Sequence, residues 1–344
     1  MRTYLAGVMW DEGYTGIEDR VVTVTDNMLG SAAEKGEASK LRLTTIDESL
    51  TGDIVDERSQ MARNYARIKF ITMDRRKISY AKSLTSRVTL DIRRGADLKD
   101  DEKNFAAGSF LTALMLSGLG KASRRGFGTF RFEMENDQTG AFTEIFRGYH
   151  VGNVEETLRK IIKMTYNSAK KLIGKSQFTR QSEEAPPIPS LTLSKRMNGT
   201  PIFELMVAKG KSADEAIRDI NDFCTRPMRL TKMGTRFIAQ DNITEQRIAW
   251  VLGLPRNQRG TGYFSSVERR TSPFIFAAHS GWLSASIFLS KDWPPKIMWK
   301  GGRGGRIERE IYVQDDLLKA YSTVKKELQN YLKRLGYDVV GVIP

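Results

Sequence analysis

Apolar residues recur along this chain in two periods, and the switches between them mark out its elements. From Arg87 to Arg93, Val88, Leu90 and Ile92 alternate with Arg87, Thr89, Asp91 and Arg93, the period of two that marks a half-buried strand. From Asp101 to Leu116 the period lengthens. Phe105, Leu111, Leu114 and Met115 fall at helical spacing, and Asp100, Asp101 and Glu102 suit the positive end of a helix dipole. After a glycine-rich turn, Phe130, Phe132 and Met134 share one face of an alternating stretch from Thr129 to Met134. Val154 to Ile173 returns to helical spacing through Val154, Leu158, Ile161, Ile162, Ala169 and Leu172, with Gly174 placed for a left-handed cap.

Lys175 to Ser190 interrupts the pattern. Pro186, Pro187 and Pro189 prevent a helix there, and the polar residues before them offer no core face, so the junction between two domains is expected in this linker. Beyond it, Ser212 and Glu215 form a capping box for a helix through Phe223, and Ile243 to Leu252 reads as a short helix closed by Gly253. Pro273 to His279 and Trp282 to Leu289 flank Ser280-Gly281 as a hairpin. Leu317, Leu318, Tyr321, Val324, Leu328, Tyr331, Leu332 and Leu335 stripe a long helix that stops at Gly336, and a last strand runs from Tyr337 to Ile343. The order strand, helix, glycine loop, strand in the first half is half of a ferredoxin-like sandwich, and the second half repeats the mixture. The expectation is an α+β protein of tandem ferredoxin-like domains over residues 1–174 and 191–344, joined by 175–190. Residues 1–83 carry apolar stretches and no motif that ranks.

Composition narrows the function. Of 344 residues, 55 are Lys or Arg and 41 are Asp or Glu, a formal charge of +14 that calls for an acidic partner. With 40% apolar and 28% charged residues the chain is a folded protein rather than a disordered one. The single cysteine, Cys224, excludes an internal disulfide and a multi-cysteine zinc site and fits a reducing cytoplasm. Two histidines, His150 and His279, leave little material for a transition-metal centre. Trp10 is followed at once by Asp11 and Glu12, which denies the N-terminus a signal-peptide core, and the apolar run from Pro273 to Leu289 is broken by His279, Ser280 and Gly281. No membrane is expected as a partner, and nothing in the sequence asks for a cofactor or a metal.

The charge is concentrated in loops. Gly118, Gly120, Gly126 and Gly128 with Lys121, Arg124 and Arg125, and with Phe127 between the last two glycines, describe a loop whose backbone can approach a polyanion. The other reading is a tight helix-to-strand connection with solvated cations. The segment lacks the spacing of a phosphate-binding Walker loop and follows a helix where a dinucleotide fingerprint follows a strand. Arg256, Arg259, Arg269 and Arg270 surround Tyr263 and Phe264, pairing phosphate-seeking cations with rings on which bases stack. Lys296, Trp299, Lys300, Arg303 and Arg306 enclose four glycines in a cationic loop that binds RNA or is simply a mobile surface turn. The lysines of the helix ending at Ile173 read as a solvated face.

The stretch GLGKASRRGFGTFRF, from Gly118 to Phe132, resembles the C-terminal glycine-rich loop of the RAMP superfamily of CRISPR proteins. Within it, LGLP at Leu252 to Pro255 and ERRTSPFIF at Glu268 to Phe276 resemble the subunit at the crRNA 3′ end of the type III-B, or Cmr, effector complex. The similarity runs in scattered blocks from Arg87 to Leu289. It implies paired ferredoxin-like domains, binding of CRISPR RNA with target RNA as a further candidate, other Cmr and RAMP subunits as partners, and a role in target cleavage and antiviral defence. Family members open with a strand and an arginine-aromatic helix, and nothing of that kind precedes Arg87. The first domain is therefore expected to be incomplete, whether by truncation, by supply from another chain or by divergence.

No catalytic residue is assigned. A processing-type RAMP endoribonuclease would use His150 or His279 as general base, yet each sits where a structural histidine is commoner. Asp100-Asp101 and Asp315-Asp316 stand at helix starts, where acids are favoured electrostatically. The expectation is a non-catalytic RNA-binding subunit. An RNA-processing endoribonuclease and a purely structural assembly subunit are the alternatives.

Overall fold

The structure, a computed structural model, describes residues 1–31, 36–49, 54–55, 80–81, 85–118, 123–131, 133–147, 149–173, 184–225, 243, 246–254, 256–258, 261–267, 270–301 and 306–343. The first half holds helices α1 (Arg2–Asp11), α2 (Ile17–Leu29), α3 (Asp100–Leu116), α4 (Thr143–Arg147) and α5 (Val154–Ile173). Its strands are β1 (Leu41–Ser49), β2 (Ile54–Val55), β3 (Tyr80–Ala81), β4 (Thr85–Ile92) and β5 (Arg125–Gly126). The second half holds a small hairpin of β6 (Arg196–Met197) and β7 (Thr200–Pro201), then β8 (Phe203–Lys209) and helix α6 (Ala213–Thr225). There follow β9 (Arg256–Gln258), β10 (Thr261–Ser265), β11 (Phe274–His279), β12 (Trp282–Phe288), β13 (Lys296–Gly301), β14 (Arg306–Tyr312), helix α7 (Val313–Arg334) and β15 (Asp338–Ile343).

One five-stranded sheet, ordered β15-β8-β12-β11-β5, lies at the centre. Its first four strands pair antiparallel. In chain order the strands β8, β11, β12 and β15 lie in the sheet as fourth, first, third, second, with α6 between β8 and β11 and α7 between β12 and β15. The first half adds only β5 to it among the described residues, parallel to β11.

Both faces of this sheet are covered, which is why β8 reads FELMVAK with hardly a polar interruption. Phe203, Leu205 and Val207 face one core with Tyr4, Phe105, Met115, Leu158 and Ile162 of α1, α3 and α5. Met206 and Ala208 face the other with Ile220 and Phe223 of α6 and Leu317, Val324 and Leu328 of α7. The helices of the first half therefore form one outer layer and those of the second half the other, so an α+β protein is built around a sheet that both halves share.

The capping box appears at α6, where Glu215 Oε2 accepts from Ser212 N at 3.1 Å and Ser212 Oγ accepts from Glu215 N at 3.4 Å. The hairpin of β11 and β12 turns at Gly281 with φ 88°, a conformation that glycine adopts without cost. Two expectations differ. Thr129 to Met134 forms no strand among its described residues, because the Thr129 hydroxyl and the Phe130 carbonyl bond instead to the end of β11. Of the helix expected from Ile243 to Leu252, Ile243 is helical, residues 244 and 245 lie outside the described residues, and Ala249–Leu252 is a 3-10 turn that follows Arg247 at φ 58°. The described part of the linker is packed. Ala185 and Ser190 are buried, Lys291 N donates to Pro186 O at 2.9 Å, and Leu191 N donates to Thr3 O at 2.8 Å. Gly174 and residues 175–183 lie outside the described residues. Among the described residues no helix is long and apolar enough to cross a membrane.

Candidate nucleic-acid interface

The glycine-rich loop leaves the end of α3 and returns along β11. Gly120 and Lys121 lie outside the described residues, whereas both ends of the loop are tightly framed. Gly118 passes so close to the returning chain that a Cβ there would sit 2.1 Å from the Phe127 oxygen. Gly126 and Gly128 have φ of 87° and 67°, left-handed values that explain two of the four glycines. Phe276 N donates to Arg124 O at 3.1 Å, Thr129 Oγ1 donates to Ala278 O, and Phe127 is half-buried.

This frame sorts the arginines. Arg125, expected on the RNA, is 4% exposed: its Nη1 donates to Cys224 Sγ at 2.9 Å and its Nη2 to the Leu252 carbonyl at 2.6 Å, over the ring of Phe276. It ties the loop to α6 and to the 3-10 turn. Arg270, also expected on the RNA, is 8% exposed and stacks 4.4 Å over Trp293. Its Nη2 donates to Asp292 Oδ1 at 2.8 Å and its Nε to Asp292 O at 3.0 Å. Both are fold-holding residues because buried guanidinium groups demand acceptors, and these are supplied from within. Arg124 is different. It is exposed, with no hydrogen bond or ion pair from its side chain among the described residues. Partial burial first, and then the charges of Arg270 and Arg125, hold its pKa below the usual arginine value. A cation in a repulsive field, with no counter-ion among the described residues, is poised for an anion.

The second basic region is the four-stranded antiparallel sheet β14-β13-β10-β9. Its inward face carries Tyr263, Ile297 and Ile311, all buried. Tyr263, expected as a stacking platform, has its hydroxyl accepting from Ala249 N at 3.2 Å and its ring edge-on to Trp299 at 4.8 Å, so it belongs to the core. The outward positions carry Phe264, Met298, Lys300 and Tyr312. Lys300 Nζ lies 4.6 Å over the Phe264 ring, and Lys296 bridges to Glu310 at 2.5 Å beside Tyr312. Arg256 and Arg306 lie in β9 and β14, whereas Arg259, Arg269 and Arg303 lie outside the described residues.

Neither imidazole is idle. His150 Nδ1 accepts from Gly152 N at 3.0 Å and caps a short 3-10 turn. His279 has a backbone carbonyl at each ring nitrogen. Among the described residues no three His, Cys, Asp or Glu side chains cluster as metal ligands. The sequence reading missed Asp292, Cys224 and Leu252 as the partners that hold the arginines. Cys224 and Leu252 lie 99 and 127 residues from Arg125 along the chain and near it only in space, so no local pattern points to them.

No family model matches the chain, and no curated protein matches it. Among solved structures it is similar to a chain of the type III-B Cmr-beta complex bound to cognate target RNA and AMPPnP in the presence of single-stranded DNA, determined by cryo-electron microscopy. The similarity has a TM-score of 0.55 at 11% identity and covers 96% of this chain and 90% of that one. At that identity the likeness is one of fold.

Proposed function

We propose that this chain is a non-catalytic RNA-binding subunit of a type III-B CRISPR (Cmr) ribonucleoprotein, acting in the cytoplasm at the crRNA 3′ end and gripping phosphate through Arg124. The observation that carries this is the guanidinium of Arg124, unpaired among the described residues, beside Arg125 and Arg270 at the base of a glycine-rich loop. The fold likeness to a chain of a Cmr-beta complex bound to target RNA supports it. CRISPR RNA is the primary ligand, with target RNA a further one. The split β-α-β unit of the second half is in keeping with a tandem ferredoxin-like pair, the first half being its divergent member. Neighbouring RAMP subunits are the protein partners. One apolar face of the β1–β4 ribbon, with Leu43 60%, Val88 43% and Ile92 41% exposed, is in keeping with such contacts.

Filter binding of single-stranded RNA across a salt series tests the reading. Log affinity falls with log salt at a slope of about 0.7 per phosphate contacted, and Arg124→Ala lowers that slope by about one contact. Binding indifferent to salt, or unaltered in a folded Arg124→Ala protein, overturns it. Incubation with labelled repeat RNA without metal leaves the RNA intact. Specific cleavage abolished by His150→Ala or His279→Ala makes the chain an endoribonuclease instead.

A further inference from the structure

The four-stranded sheet buries one face and leaves the other to solvent. Along β10, β13 and β14 the pleat sends Tyr263, Ile297 and Ile311 inward and their neighbours Phe264, Met298 and Tyr312 outward. Phe264 and Met298 stand opposite each other and, among the described residues, pack against neither core, while Tyr312 is 54% exposed. Apolar side chains gathered on a solvent face add little to folding and mark a contact surface. The charges beside them indicate what it contacts. Lys300 Nζ lies 4.6 Å over the Phe264 ring and has no ion pair or hydrogen bond among the described residues. Lys296 Nζ lies 5.7 Å from the Tyr312 ring and 2.5 Å from Glu310, which also accepts from the Tyr312 hydroxyl at 3.3 Å. Glu310 is thus already engaged, and the cation at Phe264 is the one left for an anion. Phe264 and Tyr312 are two strands and two residues apart in the register, which sets their backbones about 12 Å from each other, too far for one base to touch both rings and near enough for two bases of one strand.

We propose that this face is a base-stacking platform for single-stranded RNA. The rings of Phe264 and Tyr312 each take the π-face of one unpaired base, and Lys300, displaced from the Phe264 ring, meets the phosphate backbone. The inference rests on the RNA-binding reading above and adds to it a second contact, one that takes exposed bases where Arg124 takes phosphate. Every base has a π-face, so the platform tolerates any sequence. It rejects a duplex, whose bases are stacked on one another and closed to the rings.

Fluorescence anisotropy with labelled oligomers tests it. The probes are a short adenosine oligomer, the same oligomer with abasic riboses, and the adenosine oligomer annealed to its uridine complement. Tyr312→Ala lowers affinity for the adenosine oligomer at least about fivefold, the lower end of base–aromatic stacking, and leaves the salt slope unaltered. Affinities for the abasic and duplex probes do not change. Tyr312→Phe, which keeps the ring and loses the hydroxyl bond to Glu310, binds as wild type, and Phe264→Leu repeats the loss seen in Tyr312→Ala. If Tyr312→Ala does not fold, Tyr312→Leu gives the same readout. An equal loss on the abasic or duplex probe overturns the platform, because the ring then acts through the fold and not through bases. A folded Tyr312→Ala chain with unaltered affinity also overturns it and leaves the face to a protein partner. Where Arg124→Ala weakens binding to both single-stranded probes and Tyr312→Ala weakens neither, the RNA reading stands and the platform falls. A wild-type chain that binds no probe overturns both.

Discussion

The frame of the glycine-rich loop and the four-stranded sheet both combine basic residues, glycines and aromatic rings, yet the fold uses their cations in opposite ways. At the loop, Arg125 and Arg270 turn inward and are satisfied by Cys224, Leu252 and Asp292. On the sheet, Lys300 and Lys296 lie at the surface against Phe264 and Tyr312. Arg124, next in sequence to Arg125, behaves like Lys300 at the surface and not like its neighbour. A basic residue holds the fold where the interior offers it acceptors, and is available to a ligand where it does not. Adjacency in sequence is no guide to which.

The sharpest way to break this comparison is at Arg125. Truncation to Ala orphans the Leu252 carbonyl and removes charged hydrogen bonds from a buried site, a loss of about 3 kcal/mol. Urea denaturation should show a lower midpoint at unchanged slope. Arg124→Ala, by contrast, should stay within about 0.5 kcal/mol of wild type while losing RNA affinity. A reversal, with Arg124 stabilising and Arg125 dispensable, would end the distinction.

Gly118→Ala probes the frame without altering charge. Its Cβ would meet backbone, the Phe127 oxygen at 2.1 Å, and backbone cannot step aside as a side chain can. Forced separation of the loop ends should cost about 1 to 3 kcal/mol, read as a lower melting temperature. An unaltered transition would mean that the ends are not held.

A smaller effect separates the regions by pH. His279 has its folded pKa depressed by burial, so the unfolded chain binds more protons there than the folded one. Stability is then fully present above the unfolded histidine pKa and declines as pH falls below it. The decline should be shallower in His279→Gln, checked by thermal melts of the free protein across that window. Equal declines would place the acid sensitivity elsewhere.

How much of this was legible in sequence follows from the range over which each feature is decided. The helices α5, α6 and α7 each bury one stripe, so their periodicity was visible, as was the turn at Ser280-Gly281. Helix α1 was not visible, because Tyr4 to Trp10 are buried on every side and leave no polar face to set a period. The expected strand after Gly128 had the alternation but lacked a ladder partner, which no local pattern reveals. The linker prolines excluded a helix correctly, yet composition did not show that Pro186 and Leu191 pack onto other elements. In the site, the glycines at Gly126 and Gly128 announced their left-handed turns. The fate of Arg125 was set by Cys224 and Leu252, 99 and 127 residues away.

The smallest expected effect bears on the sheet. Lys300→Ala removes a cation lying on the exposed side of Phe264, an interaction of about 0.5 to 1 kcal/mol at such sites. The strand itself persists, since its register with β10 and β14 is set by backbone bonds and by Ile297 beneath it. The melting transition should barely move, while the salt slope of RNA binding should fall by about 0.7 if Lys300 meets a phosphate. Arg124→Ala combined with Lys300→Ala should then lower the slope by the two amounts together, because the sites sit on separate elements and share no partner. If Lys300→Ala destabilised the chain as much as Arg125→Ala, the sheet cations would be structural as well, and surface exposure would no longer separate a ligand-facing cation from a fold-holding one.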